Sequence, residues 1–269
     1  AGGHSNLTFK VQDEIDNVYV LRRPPLGQVL ATAHDMEREH RVVSAVGQTA
    51  VPVPATLGVC EDVEVNGAPF YVMAYVDGAV LHSDIEAALI TPKDRMNLSR
   101  EVVEVLAELH SVEPDEIGLG DLAKREEYLS RQLRRWSRQW EQSKTRELDT
   151  MEEVQRLLEQ HMPTQIGSTI VHGDYRLGNM LVDSGSIRAV LDWELCTLGD
   201  PLADVGYLLN NWVDPDETPA GSSAPTLAGG FATRDQLLEW YERASGRDVS
   251  QVGYYRAFSY WRLAAIVEG

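Results

Sequence analysis

The hydrophobic positions of this chain follow a strand-like pattern up to residue 73 and a helical pattern after residue 78. Short apolar runs typical of buried β-strands lie at 17–22 (NVYVLR) and 70–74 (FYVMA). Between them, Asp35 fits the N-cap of a helix. A rough helical stripe follows at Met36, Val42, Val43 and Val46. The pattern predicts a small β-rich N-lobe over residues 1–73.

Residues 74–78 break the strand pattern and are predicted to form a hinge. In the remainder, 79–269, apolar residues recur every three or four positions, which predicts a larger, mainly helical C-lobe. Thr91 to Asp94 has the composition of a capping box with proline at the first helical position. Further helices are predicted around Leu129 to Trp140, Met151 to Leu158 and Asp200 to Leu209, and from near Thr233 and Ser250. The predicted fold class is therefore α+β, in two lobes.

Composition narrows the classes of partner. No apolar run approaches the roughly 18 residues of a membrane-spanning helix, and no charged-then-apolar signal segment begins the chain. Cys60 and Cys196 match no metal-binding spacing, so we expect two reduced thiols in a cytoplasmic protein. The net charge of −18 argues against nucleic acid as a partner. It is compatible with a cationic substrate, but an acidic surface is too common to choose a substrate.

The segment 170–207 carries the candidate chemistry (IVHGDYRLGNMLVDSGSIRAVLDWELCTLGDPLADVGY). Asn179 follows Asp174 by five positions and Asp192 follows it by eighteen, with an apolar hairpin turning at 183–186 between them. Phosphoryl transfer to an alcohol needs a carboxylate near the hydroxyl and hard oxygen ligands for the Mg²⁺ of the nucleotide. The order of these three residues suits that chemistry.

This segment resembles the aminoglycoside phosphotransferase family, which has a protein-kinase-like fold. The resemblance implies that Asp174, in HGD-x4-N, is the catalytic base, and that Asn179 and Asp192 bind Mg²⁺, with Asp192 as the principal ligand. It also implies that His172 braces the loop rather than acting as a base. Arg176 is left to pair either with Asp174 or with substrate. The string LDWELCTLGDPLADVGYLL is most similar to a subgroup that includes the kinase-like domains of some acyl-CoA dehydrogenases.

The same resemblance places a phosphate-binding pair in the small lobe. Arg22 stands where the family usually has lysine, and Glu39 falls on the partner glutamate. Arginine differs from lysine in reach and geometry, so Arg23 is a rival for the phosphate-binding cation. Glu37 is likewise the rival of Glu39, because the two cannot face the same way on one helix.

Two further segments are implied to bind the nucleotide. Ser5 lies in a sequence that could cover the phosphates (GGHSN, 2–6), and since the strand expected before it is missing, we expect the native polypeptide to extend further at its N-terminus. Met73 fits the residue behind the adenine. Backbone groups of Ala74 and Val76 would read the edge of the base. Asp200 and Asp204 are expected to support loops and cap a helix.

The expected activity is that of an enzyme transferring the γ-phosphoryl group of ATP, with Mg²⁺, to the hydroxyl of a small molecule. A protein substrate is disfavoured, because only eight positions separate Asp192 from the helix start at Asp200. Two alternatives stay open: a kinase of hydroxyacyl-CoA or another hydroxylated metabolite, and a non-catalytic nucleotide-binding module. Residues 124–146 carry eight Lys or Arg and three Glu, which could meet an anionic acceptor or be a solvated helix face.

Overall fold

The computed structural model describes residues 6–25, 35–218 and 224–268. Its small lobe is built on one antiparallel sheet. Its strands are β1 (Leu7–Gln12), β2 (Val18–Arg23), β3 (Thr56–Cys60) and β4 (Phe70–Ala74), in the order β1-β2-β4-β3. Helix α1 (Met36–Val46) begins at Asp35, whose carboxylate accepts the N–H of Arg38 as the predicted N-cap. A short helix α2 (Val63–Asn66) precedes β4.

The register of β2 against β4 positions the first side chains of interest. Arg22 lies opposite Tyr71, and the hydroxyl of Tyr71 donates to Glu39 of α1 across 3.3 Å. The sheet therefore presents Arg22 to the carboxylate of α1. Strand β4 ends at Ala74, the first residue of the predicted hinge, and residues 75–78 have no regular structure.

The large lobe is mainly helical. Its helices are α3 (Asp84–Ala88), α4 (Pro92–Ser111), α5 (Tyr128–Ser143), α6 (Asp149–Gln160), α7 (Leu202–Asn210), α8 (Arg234–Ser245) and α9 (Val252–Glu268). Five short strands accompany them: β5 (Ala79–Val80), β6 (Thr169–Val171), β7 (Met180–Asp183), β8 (Ser186–Val190) and β9 (Thr197–Gly199). They form a three-stranded sheet in the order β5-β7-β8 and the pair β6-β9. The predicted α+β class with a small β-rich lobe and a larger helical lobe is confirmed.

Local sequence signals account for several element boundaries. The turn between β7 and β8 has positive φ at Ser184 (51°) and Gly185 (81°), the conformation that favours a two-residue hairpin. The N-cap of α4 is confirmed, since the Thr91 hydroxyl accepts the N–H of Asp94. The reciprocal half of the predicted capping box is wrong. The Asp94 carboxylate instead accepts the Thr91 hydroxyl, at 2.7 Å.

The main hydrophobic core extends through both lobes. Val42 and Val46 of α1 belong to the same buried cluster as Leu98 and Leu106 of α4 and Val205 of α7. A second cluster lies between α5, α6 and α9 and includes buried Trp140 and Trp261. Within the part of the chain that the structure describes, no helix is long and apolar enough to cross a membrane.

Helices α7 and α9 approach closely at Gly206, which supplies a test of the packing. A Cβ at this position would lie 2.8 Å from the Cβ of Tyr255, so Gly206→Ala should lower the free energy of unfolding by about 1–3 kcal/mol through overpacking. Gly253, also helical, has no atom within 4 Å of its ideal Cβ. Gly253→Ala is the control and should be stabilising by about 0.5–1 kcal/mol through helix propensity. Urea denaturation measures both, and equal effects would contradict the close approach.

Candidate active site

A buried carboxylate holds the loop between β6 and β7. Asp204 of α7 accepts the backbone N–H groups of His172 (2.6 Å) and Gly173 (2.8 Å), and its Oδ2 lies 3.4 Å from His110 Nε2. Burial alone raises the pKa of Asp204, but these donors offset it and lower the pKa below its ordinary value. Gly173 has φ of 87° and leaves no room for a Cβ beside Leu195. Asp204 thus supports the loop, as expected.

His172 is fully buried, and both of its ring nitrogens are engaged. Nε2 lies 2.9 Å from the carbonyl oxygen of Leu191, and Nδ1 accepts the backbone N–H of Asp174 at 3.2 Å. These partners assign the proton to Nε2, since a carbonyl oxygen can only accept. His172 therefore braces the loop against Leu191 and has no nitrogen left to serve as a general base.

The Asp174 carboxylate is contacted from within its own loop. Asn179 Nδ2 donates to Asp174 Oδ2 (2.6 Å) and to the Asp174 carbonyl oxygen (2.8 Å). Arg176 Nε lies 3.3 Å from Asp174 Oδ1, so Arg176 pairs with the carboxylate, one of the two alternatives left open by the sequence. Because Asn179 Nδ2 donates to Asp174, the amide oxygen of Asn179 is the atom that could bind a metal.

Asp192 follows strand β8 in a left-handed backbone conformation, with φ of 66° and ψ of 63°. Such a conformation costs free energy in a non-glycine residue and is characteristic of functional sites. Its side chain is 31% exposed, and Oδ1 lies 2.5 Å from Arg22 Nη2. The Asp192 carboxylate is thus accessible at the boundary between the lobes. It is paired with Arg22, the cation predicted to bind phosphate.

Arg22 is surrounded by carboxylates. It contacts Glu39 at 3.0 Å and Glu194 at 3.8 Å in addition to Asp192. Burial alone lowers the pKa of Arg22, but the charges of Glu39 and Asp192 outweigh it and raise the pKa above its ordinary value. Burial raises the pKa of Glu39, which is 2% exposed, and the Arg22 charge opposes that shift. The expected Arg22–Glu39 pair is present.

The two rivals lie elsewhere. Arg23 donates to the backbone oxygen of Asn66 at 2.6 Å, away from Asp192. Glu37 is exposed on the opposite side of α1 from buried Glu39. Arg22, rather than Arg23, is therefore the cation that faces Asp192, the candidate metal ligand.

Glu194 and Asn6 also belong to this cluster. The sequence did not indicate Glu194, and it indicated Asn6 only as the end of the segment 2–6. Asn6 Nδ2 donates to Glu194 Oε2 at 3.0 Å and to Glu39 Oε2 at 3.4 Å. Burial, reinforced by the neighbouring Asp192 charge, raises the pKa of Glu194 to about 7. The sequence feature that could have indicated Glu194 is its position two residues after Asp192, in DWE.

A small cavity of about 90 Å³ lies between the lobes, next to this cluster. Met73, Arg22 and Asp192 line it, so the residue expected behind the adenine borders this cavity. The N–H of Ala74 donates to the carbonyl oxygen of Ala55 at 2.8 Å, so this N–H is not free to read a base edge. Val76 is half-buried beyond it. Ser5 lies outside the described residues.

A larger cavity of about 380 Å³ is bordered by the loop between β6 and β7. The loop, helices α7 and α9, and residues near 82, 213 and 225 surround it. Among the described residues of its lining, Asp174 is the one acid, whereas Arg176 and His82 are basic. The segment 214–230, which is rich in Pro, Gly, Ser and Ala, contributes Ala224 and Pro225, while 219–223 lie outside the described residues.

The basic segment 124–146 does not contribute to this cavity within the described lining. Arg134, Arg135, Arg138 and Arg146 are exposed to solvent. This orientation favours the interpretation of a solvated helix face over that of an anion-binding wall.

The described residues contain no group of three or more His, Cys, Asp or Glu placed to hold a metal ion. Asp192 and Asn179 would supply a carboxylate and an amide oxygen. Mg²⁺ in nucleotide-binding sites is commonly held by one or two such ligands, with substrate phosphates and water completing its coordination. The donor set therefore fits Mg²⁺ carried by a nucleotide.

Comparisons with known proteins agree with this geometry. A family model described as "Phosphotransferase enzyme family" matches residues 1–246. Mouse acyl-CoA dehydrogenase family member 10 is 35% identical over 99% of this chain and 25% of its own length. Human acyl-CoA dehydrogenase family member 11 is 30% identical over 99% of this chain and 35% of its own length. The chain thus spans about a quarter to a third of these relatives.

Solved structures resemble the whole chain. A candidate aminoglycoside phosphotransferase from Ralstonia eutropha has a TM-score of 0.84 and 36% identity, covering 99% of this chain and 80% of the other. An amicoumacin kinase in complex with AMP-PNP, Ca²⁺ and amicoumacin has a TM-score of 0.67 and 16% identity, covering 100% and 79%. The latter likeness concerns the fold alone. The two-lobed, kinase-like fold expected from the sequence is confirmed.

Glu194 supplies a pH-dependent test of the Arg22 cluster. Its pKa is about 7 in the folded chain against an ordinary 4.5, so the stability it contributes is present below pH 4.5 and is lost as the pH rises through 7. Glu194→Gln removes this decrease in stability, because glutamine does not ionise. The variant should gain stability relative to the unmodified chain between these pH values, as measured by urea denaturation without divalent cations.

The control is the same substitution at the exposed Glu126, which lies in the basic segment. A difference between Glu194→Gln and the unmodified chain that stays constant with pH would contradict the shifted carboxyl.

Proposed function

The chain belongs to the phosphotransferase enzyme family, and we propose that it moves the γ-phosphoryl group of ATP to the hydroxyl of a small molecule. One observation supports this above the others. Asp174 lines the larger cavity and Asp192 lines the smaller one. A base on the acceptor side and a metal ligand on the nucleotide side are what in-line transfer needs.

In this proposal Asp174 is the catalytic base. Its carboxylate accepts a hydrogen bond from the acceptor hydroxyl and takes its proton as the hydroxyl oxygen forms a bond to the γ-phosphorus. The bond from phosphorus to the bridging oxygen breaks, and ADP leaves with that electron pair. Arg176, 3.3 Å from Asp174, would bring positive charge to the transferring group.

The nucleotide would be held by residues of both lobes. Arg22 would bind phosphate oxygens while Glu39 keeps its guanidinium in place. Ser5 would cover the phosphates, Met73 would lie behind the adenine, and Ala74 and Val76 would contact its edge. Asp192 and Asn179 would hold Mg²⁺, which offsets phosphate charge when bound.

The charges of the larger cavity bear on the class of acceptor. An aminoglycoside is polycationic and would be bound best by several carboxylates, yet Asp174 is the one acid among the described lining residues. Arg176 and His82 favour a neutral or anionic acceptor instead. A hydroxyacyl-CoA or another hydroxylated metabolite is therefore the stronger candidate. The similarity to members of the acyl-CoA dehydrogenase family points the same way.

Acceptor-dependent ADP release tests the activity and the acceptor class together. With Mg-ATP, we expect release with hydroxyacyl-CoA esters or simple hydroxy acids rather than with aminoglycosides. Asp174→Asn should lower kcat by about 100-fold or more, because the base is lost. Asp183→Asn, in the exposed hairpin turn, is the matched control and should retain activity.

Release with aminoglycosides alone would contradict the acceptor class and leave the reaction intact. Tight binding of Mg-ATP without release for any acceptor would favour the alternative of a non-catalytic nucleotide-binding module.

The metal assignment has its own test. Asp192→Ala should abolish turnover, because Mg²⁺ loses its carboxylate ligand. It should also remove the gain in ATP affinity that Mg²⁺ produces in the unmodified chain, as measured by calorimetry with and without the ion. Near-normal turnover in Asp192→Ala would overturn the assignment.

A further inference from the structure

Arg38 of helix α1 reaches the segment that carries the candidate metal ligand. Its side chain is half-buried, and Nη2 donates to the carbonyl oxygen of Cys196 at 2.5 Å. Cys196 is buried and follows Asp192 by four residues. One turn of 3₁₀ helix (Trp193–Leu195) separates them, and the N–H of Cys196 closes it by donating to the carbonyl oxygen of Trp193 at 3.0 Å. A short, internally bonded segment therefore links the Arg38 contact to Asp192.

The chain beyond Cys196 leads to the loop that carries Asp174. Strand β9 begins at the next residue, where Thr197 pairs with Val171 of β6. Strand β6 ends at Val171 and runs directly into that loop. The backbone of Cys196 is thus held on both sides, by the 3₁₀ turn and by the strand pair. Its carbonyl oxygen is therefore a well-defined point of attachment for a donor from another element.

Helix α1 joins this attachment to the small-lobe sheet through the residue next to Arg38. Glu39 accepts hydrogen bonds from Arg22 Nε at 3.1 Å and from the hydroxyl of Tyr71 at 3.3 Å. Adjacent side chains of a helix point about 100° apart, so Arg38 and Glu39 can bind different lobes. The distance between the Arg22–Glu39 pair and the Asp192 segment is thus set by one turn of α1.

The Arg38 contact differs from the Arg22–Asp192 ion pair in the atoms that it uses. In the proposed reaction Arg22 binds phosphate oxygens and Asp192 binds Mg²⁺, so the 2.5 Å contact between Nη2 and Oδ1 has to open when Mg-ATP binds. The hydrogen bond from Arg38 to the carbonyl oxygen of Cys196 uses no atom that the nucleotide or the metal requires. It can therefore persist through the reaction.

We propose that Arg38 is a positioning residue that keeps Glu39, and through it Arg22, aligned with Asp192 during phosphoryl transfer. The inference rests on the proposed function. In protein kinases, phosphorylation of an activation loop controls whether the equivalent pair and the metal-binding aspartate are in place together. Here a hydrogen bond to the backbone of the large lobe builds that placement of α1 into the fold.

Arg41 supplies a matched control on the same helix. It lies one turn after Arg38, and its Nη2 donates to the carbonyl oxygen of Gly118 at 2.6 Å and contacts the exposed Asp121. Both arginines therefore attach α1 to a backbone carbonyl of the large lobe. The Arg41 attachment is to the segment 118–121, which carries none of the residues assigned to the reaction.

Steady-state kinetics compare the two attachments. Arg38→Met should lower kcat by about 10- to 100-fold, the value of one hydrogen bond from a charged group, with the KM of the acceptor unchanged. Arg38→Lys keeps a donor and should lose less kcat than Arg38→Met. Arg41→Met should keep the kcat of the unmodified chain. Equal kcat losses in Arg38→Met and Arg41→Met, equal losses in the two Arg38 variants, or an unchanged kcat in Arg38→Met would overturn the proposal.

Amide hydrogen exchange of the whole chain without nucleotide distinguishes failure of this inference from failure of the proposed function. Arg38→Met should speed exchange in the segment 193–197 by about 10-fold or more, because the Cys196 carbonyl loses its donor. Arg41→Met should leave the exchange of that segment unchanged. An unchanged rate for 193–197 in Arg38→Met would overturn the attachment, whether or not the unmodified chain phosphorylates any acceptor.

Discussion

The site depends on one buried cation between three carboxylates. Arg22 is 12% exposed and contacts Glu39, Asp192 and Glu194, so it supplies the positive charge that compensates a glutamate that is only 2% exposed. Its fork explains why arginine stands where lysine is usual: Nε binds Glu39 of the small lobe while Nη2 binds Asp192 of the large lobe. A single ammonium group would have to make both contacts from one atom. The pair therefore joins the two lobes at the point where a nucleotide would enter.

In the loop between β6 and β7, the groups proposed to react are distinct from the residues that hold the loop in place. Three buried residues hold the loop: His172, Asp204 and His110. Their polar side-chain atoms form hydrogen bonds with the loop, with Leu191 and with each other. That support leaves Asp174 facing the larger cavity and Asp192 facing the smaller one. Hairpin β7–β8 lies between the two acids along the chain, because Asp174 precedes β7 and Asp192 follows β8.

Features set by neighbouring residues could be predicted from the sequence. The caps at Asp35 and Thr91 and the turn at 183–186 depend on a few adjacent residues, and all three were found. Contacts between distant parts of the chain could not be predicted. Asn6 and Glu194 are 188 positions apart, and the Ala74 N–H donates to the carbonyl oxygen of Ala55, which immediately precedes β3. The Arg22–Glu39 pair was predictable only because a family resemblance supplied the alignment.

The central claim is that the cavity lined by Asp174 and the cavity lined by Asp192 serve one transfer reaction. Phosphorus NMR of the chain with Mg-ATP and a hydroxyacyl-CoA or hydroxy acid tests it most directly, because the spectrum identifies where the phosphoryl group goes. The account predicts a new phosphate-ester resonance that grows in equal amount with ADP. Conversion of ATP to ADP and inorganic phosphate alone, or no change in ATP with any hydroxylated acceptor, would contradict it.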